Sequence, residues 1–489
     1  MINNFQGIRE AFQSIWGYDD FRPPQGEIIR TLLASQDALI VMPTGAGKSI
    51  CFQLPALLQT GLTLVVSPLV ALMENQVQEL RQRQLPGAVL HSELSKSERK
   101  NILAAIAQQK LRLLYLSPET LLSKPVWEIL CQRELKVNGL ILDEAHCLVQ
   151  WGDTFRPTYR RLGKVRPTLL QYKPFGTKIF LAAFTATADT STQAIIKQVL
   201  QLEKPAVFLV SSYRKNIHLQ VKVVWTPRGR KQQALKFIQA RKKQPGLVYV
   251  RSRRESEELQ NWFHSLGYHS AAYHAGLTGS QRRKIEQDWL TSKIQFVVCT
   301  CAFGMGINKP DCRWIIHFHP PQLLSEYLQE VGRSGRDGKR ADALTLISEP
   351  TGLLNPEDKQ RQQFFLDKLR KQKQKAQQIA NKIPERGEIR KIAREFPDGD
   401  ISLALLHSEG KLKWLDPFNY QKCQDKSSKE ANTNFLNRQM EQMKRYLRTK
   451  ECRWQFLLDS FGFTSEESDF CCGHCDNCNR ILAEVRKKG

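Results

Sequence analysis

The sequence predicts an α/β protein with two successive parallel-sheet units, each flanked by helices, and a mostly helical, metal-binding carboxyl-terminal part. Three observations support this fold class. A strand, a glycine-rich turn and a helix follow one another at residues 38–58, apolar strand-like runs recur as far as residue 318, and four cysteines fall within residues 471–478. The length of 489 residues suggests about three domains. The predicted boundaries are 1–215, 216–350 and 351–489.

Bulk composition favours a folded protein that binds nucleic acid. Hydrophobic residues make up 41% of the chain, and the net charge of +25 predicts a polyanionic partner. We find no apolar run long enough to span a bilayer and no secretory signal pattern, so we expect no membrane partner. Most of the 12 cysteines are scattered singly, which suits a reducing cytosol. We predict a cytoplasmic location, with nucleoid association in a bacterium.

The glycine-rich turn at residues 42–49 is the first predicted site. Gly45 and Gly47 would let backbone N–H groups turn toward phosphate oxygens at the start of the next helix. Lys48 would reach the β- and γ-phosphates of ATP, and the Ser49 hydroxyl would hold Mg²⁺. Met42 stands where such loops usually have their first glycine, so an ordinary strand–helix turn is the alternative. The predicted nucleotide contacts are Thr44, Gly45, Ala46, Gly47, Lys48 and Ser49.

A second group, upstream of this loop, is predicted to recognise the adenine base. A glutamine amide can pair with both the donor and the acceptor of an adenine edge, and an aromatic ring can stack on the base. We predict Tyr18, Arg22 and Gln25 for this role. The alternative is that Gln25 only caps a turn.

An acidic pair follows the predicted strand at residues 137–142. Asp143 is expected to hold Mg²⁺ opposite Ser49, and Glu144 to position and polarise the attacking water. Two carboxylates at a strand end can also be merely solvated. The phosphate loop upstream favours a nucleotide-hydrolysing site.

Aromatic residues follow the acidic pair closely. Trp151 and Phe155 are followed by the cation Arg156, a composition that suits stacking on single-stranded bases. Their position suggests that DNA contact is coupled to hydrolysis. The alternative is an aromatic loop that packs on its own domain.

The second α/β unit is predicted to supply arginine to the nucleotide. Strand-like runs at 246–250, 296–300 and 314–318 precede Arg333 and Arg336, which lie three residues apart on one helix face or on the turn that ends a helix. Arginine can stabilise charge on a transferred phosphoryl group. A surface salt-bridge helix is the alternative. We expect ATP at the cleft of the two units.

These motifs together resemble the RecQ family of superfamily 2 DNA helicases. The similarity covers residues 12–338 and the cysteine-rich end, and it rests on the motifs FRPPQ (21–25), TGAGKS (44–49), DEAH (143–146), QWG (150–152) and GRSGR (332–336). It implies two RecA-like domains and ATP-dependent 3′-to-5′ unwinding of DNA. One departure is Asp153-Thr154, where the family usually has His-Asp.

Residue roles and partners also follow from the resemblance. It implies that Arg336 is the arginine finger and that Gln329 and Arg333 couple to the γ-phosphate. It further implies action on single-stranded, branched or forked DNA in recombination and repair, with a single-stranded-DNA-binding protein as a candidate partner.

The terminal cysteines predict a structural zinc site. Thiolates at CxxC spacing converge on tetrahedral Zn²⁺, and in a cytosolic protein metal binding is favoured over disulfides. The family's zinc module matches Cys452, Cys472, Cys475 and Cys478, with Cys471 and His474 as competing ligands. We expect Cys452 to lie inside a helical stretch at 437–458.

Residues 381–425 are predicted to form an insert in this part of the chain. Two short helices, at 387–396 and 400–406, precede a hairpin built from 410–415 and 418–420, which suggests a winged-helix-like fold. An irregular helical insertion is the alternative. The winged helix and helical domain that family members usually carry after the zinc module are expected to be absent.

The sequence therefore predicts an ATP-dependent DNA helicase that uses ATP, Mg²⁺ and Zn²⁺. The first alternative is a DNA-stimulated ATPase that remodels protein–DNA complexes without processive unwinding. An inactive DNA-binding platform and an RNA helicase are the others.

Overall fold

The computed structural model describes residues 5–150, 156–303, 307, 309–423, 431–463 and 470–488. By its contacts the chain divides into two compact units: unit 1 comprises residues 1–210 and 371–434, and unit 2 comprises 211–370 and 435–489. The predicted carboxyl-terminal part is thus divided between the two units. The three domain boundaries given above stay a prediction.

Unit 1 is built on a seven-stranded sheet in the order β3-β4-β2-β5-β6-β1-β7, in which all neighbours run parallel. Strands β1, β2, β4, β5 and β6 are buried along their whole length, which is why they are recognisable as continuous apolar runs. The sequence reading missed β3 and β7, which form the two edges of the sheet. The strands are β1 (Ala38–Val41), β2 (Leu62–Val66), β3 (Gly87–Leu90), β4 (Leu113–Leu116), β5 (Val137–Leu142), β6 (Phe180–Thr185) and β7 (Ala206–Leu209).

Helices connect these parallel strands. A capping box fixes one helix start, where the Ser95 side chain accepts from Glu98 N and the Glu98 carboxylate accepts from Ser95 N. The helices are α1 (Phe5–Trp16), α2 (Gln25–Leu33), α3 (Lys48–Leu58), α4 (Val70–Gln82), α5 (Lys96–Ala107), α6 (Pro118–Leu121), α7 (Lys124–Leu130), α8 (Cys147–Gln150), α9 (Val165–Leu170) and α10 (Thr190–Leu200), with a 3₁₀ helix at Pro157–Lys164.

Unit 2 is built on a six-stranded parallel sheet in the order β10-β11-β9-β12-β13-β8. The predicted fold class of two parallel-sheet domains with flanking helices is therefore confirmed. Its strands are β8 (Ile217–Val224), β9 (Gly246–Tyr249), β10 (Ser270–Tyr273), β11 (Phe296–Cys299), β12 (Trp314–His317) and β13 (Ala341–Ser348). The helices among them are α11 (Pro227–Gln239), α12 (Arg253–Ser265), α13 (Gly279–Leu290) and α14 (Leu324–Val331).

The predicted insert is a small domain with its own core. The helices and the hairpin are found as expected, and an additional short strand before them completes an antiparallel sheet in the order β14-β16-β15. Helix, strand, two helices and two strands follow one another here, and the winged-helix-like fold of the insert stays a prediction. The elements are α15 (Glu357–Lys382), β14 (Arg386–Glu388), α16 (Ile389–Glu395), α17 (Gly399–Ser408), β15 (Leu412–Trp414) and β16 (Asn419–Lys422).

Within unit 1 the insert packs on the 3₁₀ helix Pro157–Lys164 and on α7. Arg161 Nη1 donates to Pro417 O (3.1 Å), and the rings of Trp127 and Phe418 meet edge to face at 5.1 Å. Helix α17, the second of the two short helices, is buried from Ser402 to Leu406. Protein therefore covers the apolar face of this helix.

The predicted helical stretch at 437–458 is two helices, so its single-helix interpretation is wrong. Helix α18 (Ala431–Arg448) ends before Cys452, α19 (Arg453–Ser460) begins after it, and α20 (Asp476–Lys488) follows the cysteine cluster. Cys452 therefore lies just before a helix. A long-range contact lies at this break, where the Asn477 side chain donates to Thr449 O (2.9 Å) and Glu451 O (2.7 Å).

These terminal helices share a core with the second sheet. The hydroxyl of Tyr446 donates to that of Tyr327 (2.8 Å), and Trp454 Nε1 donates to Ile217 O (3.1 Å). Both donors are almost fully buried. The cysteine-bearing end is thus part of the hydrophobic core of unit 2.

Among the described residues, no helix combines the length and apolar character that crossing a bilayer requires.

Candidate nucleotide and metal sites

The glycine-rich turn links the buried strand β1 to helix α3. Gly45 and Gly47 have φ angles of +84° and +80°, in the left-handed region that favours glycine. A Cβ on Gly47 would also collide with the side-chain amide of Gln25. Lys48 is the first residue of α3, so its backbone and that of Ser49 lie at the positive end of the helix dipole. The turn therefore has the backbone of a phosphate-binding loop.

The Lys48 side chain lies close to the acidic pair. Its ammonium nitrogen is 3.8 Å from Glu144 Oε1, and both side chains are nearly buried. That nitrogen has no hydrogen-bond partner among the described residues. A buried ammonium group without an acceptor is costly, and phosphate oxygens would supply the missing acceptors. The residues present therefore fit a nucleotide phosphate.

Asp143 and Glu144 follow β5 at the same end of the sheet as the loop. Burial, and next the adjacent carboxylate of Glu144, raises the pKa of Asp143 to about 6. A divalent cation would relieve this repulsion, so the pair also fits Mg²⁺. Glu144 has a φ of +50°, an uncommon conformation for a residue with a side chain.

A polar chain joins Glu144 to strand β6. His146 Nδ1 is 3.2 Å from Glu144 Oε2 and 3.0 Å from Thr185 Oγ1, and all three residues are buried. Thr185 Oγ1 also accepts from Thr187 N (3.3 Å). The sequence analysis assigned no role to His146, although this residue lies within the recognised DEAH motif. The contact of His146 with Thr185 joins residues 39 positions apart, so no local sequence pattern indicates it.

Of the three predicted base-recognition residues, Gln25 has a buried side chain and the other two have exposed ones. The Gln25 amide nitrogen donates to Ala46 O (3.1 Å), and its amide oxygen accepts from Arg22 N (2.9 Å). Gln25 therefore tethers the phosphate loop to the start of α2. Tyr18 and Arg22 have exposed side chains.

Of the predicted aromatic segment, only its last residue, Arg156, is among the residues that the structure describes. Trp151 and Phe155 lie outside the described residues. Arg156 donates to Glu119 Oε2 (2.9 Å) and to Pro68 O (2.8 Å), which places it at the ends of β2 and β4.

In unit 2, Gln329 lies in α14, and Arg333 and Arg336 lie on the turn after it. From the sequence, the two arginines could lie either on one helix face or on the turn that ends a helix, and in the structure they lie on the turn. Arg336 Nη1 donates to Ile307 O (3.2 Å). Burial, and next the positive charge of Arg333, lowers the pKa of Arg336 to about 10. Two neighbouring guanidinium groups make this turn a favourable place for an anion.

A buried ion pair that sequence reasoning missed holds α14. Arg251 makes two contacts with Glu330, at 3.2 and 3.0 Å, and His317 Nε2 is 3.0 Å from the same carboxylate. Burial alone would raise the pKa of Glu330, but Arg251 and His317 lower it to about 2. The pair joins residues 79 positions apart, so no local pattern could reveal it.

Four cysteine sulfur atoms converge in unit 2. The Sγ atoms of Cys452, Cys472, Cys475 and Cys478 all lie within 4.8 Å of one another. The Sγ–Sγ distances of 3.4 Å (Cys475 to Cys478) and 3.7 Å (Cys472 to Cys478) are close to the roughly 3.8 Å edge of a tetrahedron with Zn–S bonds of about 2.3 Å. The donor set therefore fits Zn²⁺.

The two competing ligands do not belong to this group. Cys471 is exposed, although its Sγ lies 3.2 Å from that of Cys478. His474 Nδ1 is 2.6 Å from Cys472 O, and its ring lies against His218 with 5.0 Å between centroids. Gly473, between Cys472 and His474, has a φ of +73°, which explains a glycine at this turn.

Three family models match separate parts of the chain. The model described as DEAD/DEAH box helicase matches residues 22–195. The helicase conserved C-terminal domain matches residues 229–338, and the RecQ zinc-binding model matches residues 416–479.

Curated relatives resemble most of the chain. It is 52% identical to the ATP-dependent DNA helicase RecQ of Synechocystis sp., over 97% of this chain and 98% of that protein. It is 32% identical to the probable ATP-dependent DNA helicase RecS of Bacillus subtilis, over 96% and 92%. With the RecQ helicase of Haemophilus influenzae the identity is 37% over 72% of this chain, and the match spans 56% of that relative.

Solved structures share the fold at low identity. The Mycobacterium smegmatis helicase Lhr, bound to ssDNA and AMP-PNP, matches with a TM-score of 0.56 and 19% identity over 70% of this chain and 48% of that one. Dbp5 of S. cerevisiae, bound to RNA and ADP BeF3, matches with a TM-score of 0.56 and 13% identity over 71% and 90%. At these identities the likeness concerns the fold alone.

Proposed function

Because this chain belongs to the RecQ family of ATP-dependent DNA helicases, we propose that it couples ATP hydrolysis to 3′-to-5′ unwinding of DNA in recombination and repair. The observation that carries the hydrolytic part is Lys48, whose buried ammonium nitrogen lies beside Glu144 and has no hydrogen-bond partner among the described residues. We assign it to the β- and γ-phosphates of ATP. Thr44, Gly45, Ala46, Gly47 and Ser49 complete the phosphate contacts.

Hydrolysis requires an activated water molecule next to the γ-phosphate. Glu144 is the proposed base, which orients this water and accepts its proton while Lys48 stabilises charge on the phosphoryl oxygens. Ser49 and Asp143 would hold Mg²⁺, which neutralises phosphate charge when bound. His146 and Thr185 orient Glu144 through the contacts described above.

The remaining nucleotide contacts are proposed from residue type for the base-recognition group and from the family resemblance for Gln329, Arg333 and Arg336. Tyr18, Arg22 and Gln25 are proposed to recognise adenine, and the tether from Gln25 to Ala46 O would link base recognition to the phosphate loop. Arg336 is the proposed arginine finger, with Gln329 and Arg333 as γ-phosphate couplers. Their support is the cluster of positive charge that follows α14.

Replacing Glu144 by glutamine should leave ATP binding intact and slow hydrolysis. The amide cannot accept the proton of the attacking water, so kcat should fall by about 10²- to 10⁴-fold. Single-turnover hydrolysis and equilibrium nucleotide binding separate the two effects. Glu134→Gln, at an exposed site of unit 1, is the control. Wild-type turnover in Glu144→Gln would remove Glu144 from this role.

Trp151, Phe155 and Arg156 are proposed to contact single-stranded DNA. Trp151→Ala should preserve basal ATPase activity while stimulation by single-stranded DNA falls about tenfold, since stacking on a base contributes roughly 1–3 kcal/mol. Tyr172→Ala removes an exposed aromatic ring elsewhere in unit 1 and serves as the control. ATPase titrations with single-stranded DNA make the measurement. Unchanged stimulation would assign the segment to packing.

The proposed substrates are single-stranded, branched or forked DNA. The proposed location is the cytoplasm or a nucleoid, and the candidate protein partner is a single-stranded-DNA-binding protein. Strand displacement measured beside ATPase activity, on forked, blunt and tailed duplexes, tests the function. A second candidate is a DNA-stimulated translocase that remodels protein–DNA complexes. The burial of α17 favours it, because that helix is not exposed for duplex contact. ATPase stimulation without displacement of any duplex would select this second function.

A further inference from the structure

Helix α14 is anchored along one of its faces. Tyr327 and Glu330 lie three residues apart, on the same side of the helix, and both are buried. Glu330 is held there by Arg251 and His317, as described above. Gln329 comes two residues after Tyr327 and therefore points about 200° away around the helix axis. One face of α14 is thus fixed in the core of unit 2, while another face presents Gln329.

The hydrogen-bond partner of Tyr327 lies 119 positions later in the chain. The Tyr446 hydroxyl donates to the Tyr327 hydroxyl over 2.8 Å, and the centres of the two rings are 4.8 Å apart. Both side chains are 0% exposed. A hydrogen bond in such a place is strong, because water does not compete for it, and removing one hydroxyl takes a partner from the other. The bond therefore ties α14 to α18.

Tyr446 is in turn fixed by an ion pair next to the cysteine group. Arg453 Nη1 donates to Tyr446 O (3.1 Å), and the guanidinium carbon lies 5.6 Å from the centre of the Tyr446 ring. The Asp476 carboxylate accepts two hydrogen bonds from Arg453. Arg453 directly follows Cys452 in the chain. Asp476 directly follows Cys475, so the convergence of the cysteines also brings the ion pair together.

We propose that Tyr446 is a positioning residue for ATP hydrolysis. Its hydroxyl fixes α14, so that Gln329 and Arg333 meet the γ-phosphate in the orientation that the transition state requires. Tyr446 acts through Tyr327 rather than on the nucleotide. Misplacement of a catalytic group by about 1 Å can lower a rate about 100-fold, so a small movement of α14 is enough to change kcat. The inference rests on the proposed function, which assigns Gln329 and Arg333 to the γ-phosphate.

Tyr446→Phe tests the inference, because it removes the hydroxyl and keeps the ring. The kcat of ATP hydrolysis should fall about threefold to tenfold, as is typical of a residue that acts through another. The KM for ATP and the Kd for ADP should stay within about twofold, because the contact that is lost belongs to the transition state. Affinity for ADP with aluminium fluoride, an analogue of the transferred phosphoryl group, should fall by the same factor as kcat.

The same bond can be broken from its other end. Tyr327→Phe should lower kcat by the same factor as Tyr446→Phe. The double variant should show no further fall, because each single substitution already removes the one interaction. Thermal unfolding establishes that each variant is folded at the assay temperature, and either single variant that is folded there decides whether the bond affects kcat.

Tyr273→Phe is the matched control, in β10 of the same sheet. The Tyr273 hydroxyl donates to Glu286 Oε1 (2.6 Å), and Tyr273 is buried, so the substitution removes a tyrosine hydrogen bond to α13 rather than to α14. This variant should lose stability, as Tyr446→Phe does, and keep the wild-type kcat.

The outcomes separate this inference from the proposed function. A folded Tyr446→Phe variant with wild-type kcat and wild-type affinity for the analogue would overturn the inference and leave the bond a purely structural one. Additive losses in the double variant, or an equal loss of kcat in Tyr273→Phe, would overturn it as well. A wild type that does not hydrolyse ATP, or a Gln329→Ala variant with wild-type kcat, would instead overturn the proposed function or the part of α14 in it.

Discussion

Lys48→Ala should abolish ATP hydrolysis and leave DNA binding largely intact. The ammonium group lies 3.8 Å from Glu144 Oε1 and is the proposed source of positive charge for the β- and γ-phosphates. Loss of one preorganised charge-stabilising group typically costs about 10²–10³ in rate, or roughly 3–4 kcal/mol of barrier, and loss of a full charge should cost at least as much. Steady-state phosphate release, together with oligonucleotide binding, measures the two properties.

The control for this variant is Lys124→Ala, which removes an exposed lysine of unit 1. It should hydrolyse ATP at the wild-type rate. Near-normal turnover in Lys48→Ala would contradict the assignment of the loop and with it the ATP-driven function. Loss of DNA binding in that variant, with its fold intact, would show that the loop also serves DNA.

Cys475→Ser should release zinc and destabilise unit 2. The wild type should contain one Zn²⁺ per chain, held by the four converging sulfur atoms. Metal binding in a small closed site contributes directly to folding. Because Cys475 and Cys478 belong to the same core as Tyr327 and Trp454, we expect the loss to spread beyond the terminal helices into the second sheet. The melting temperature of unit 2 should fall, while the phosphate loop in unit 1 should still bind nucleotide.

Cys471→Ser is the matched control, since Cys471 is a neighbouring thiol outside the group of four. It should retain zinc and stability. Elemental analysis and thermal unfolding of the three proteins, with and without a chelator, decide the matter. Absence of zinc from the wild type, or unchanged zinc in Cys475→Ser, would overturn the ligand assignment, and loss of zinc from Cys471→Ser would add a ligand to it.

Much of the fold could be read from local patterns. The fully buried strands β1 and β5 were predicted because strands covered on both faces are continuous apolar runs. The edge strand β7 was missed because alternate residues are exposed, which weakens that signal. The two short helices of the insert, α16 and α17, were recognised, but the break before Cys452 was not, since the contact at this break comes from a side chain of a later helix.

The sequence by itself determined the parts whose chemistry lies within a few residues: the phosphate loop, the acidic pair at the end of β5, the cysteine spacing and the two α/β units. Tertiary structure decided which groups the Gln25 amide bonds to and which residues hold Glu144 and α14. It also decided that the insert at 381–425 belongs to unit 1, while the four clustered cysteines belong to the core of unit 2. The physical reason is the same throughout. Local patterns encode burial and backbone conformation, whereas ion pairs, tethers and unpaired groups depend on which distant segments the packed core brings together.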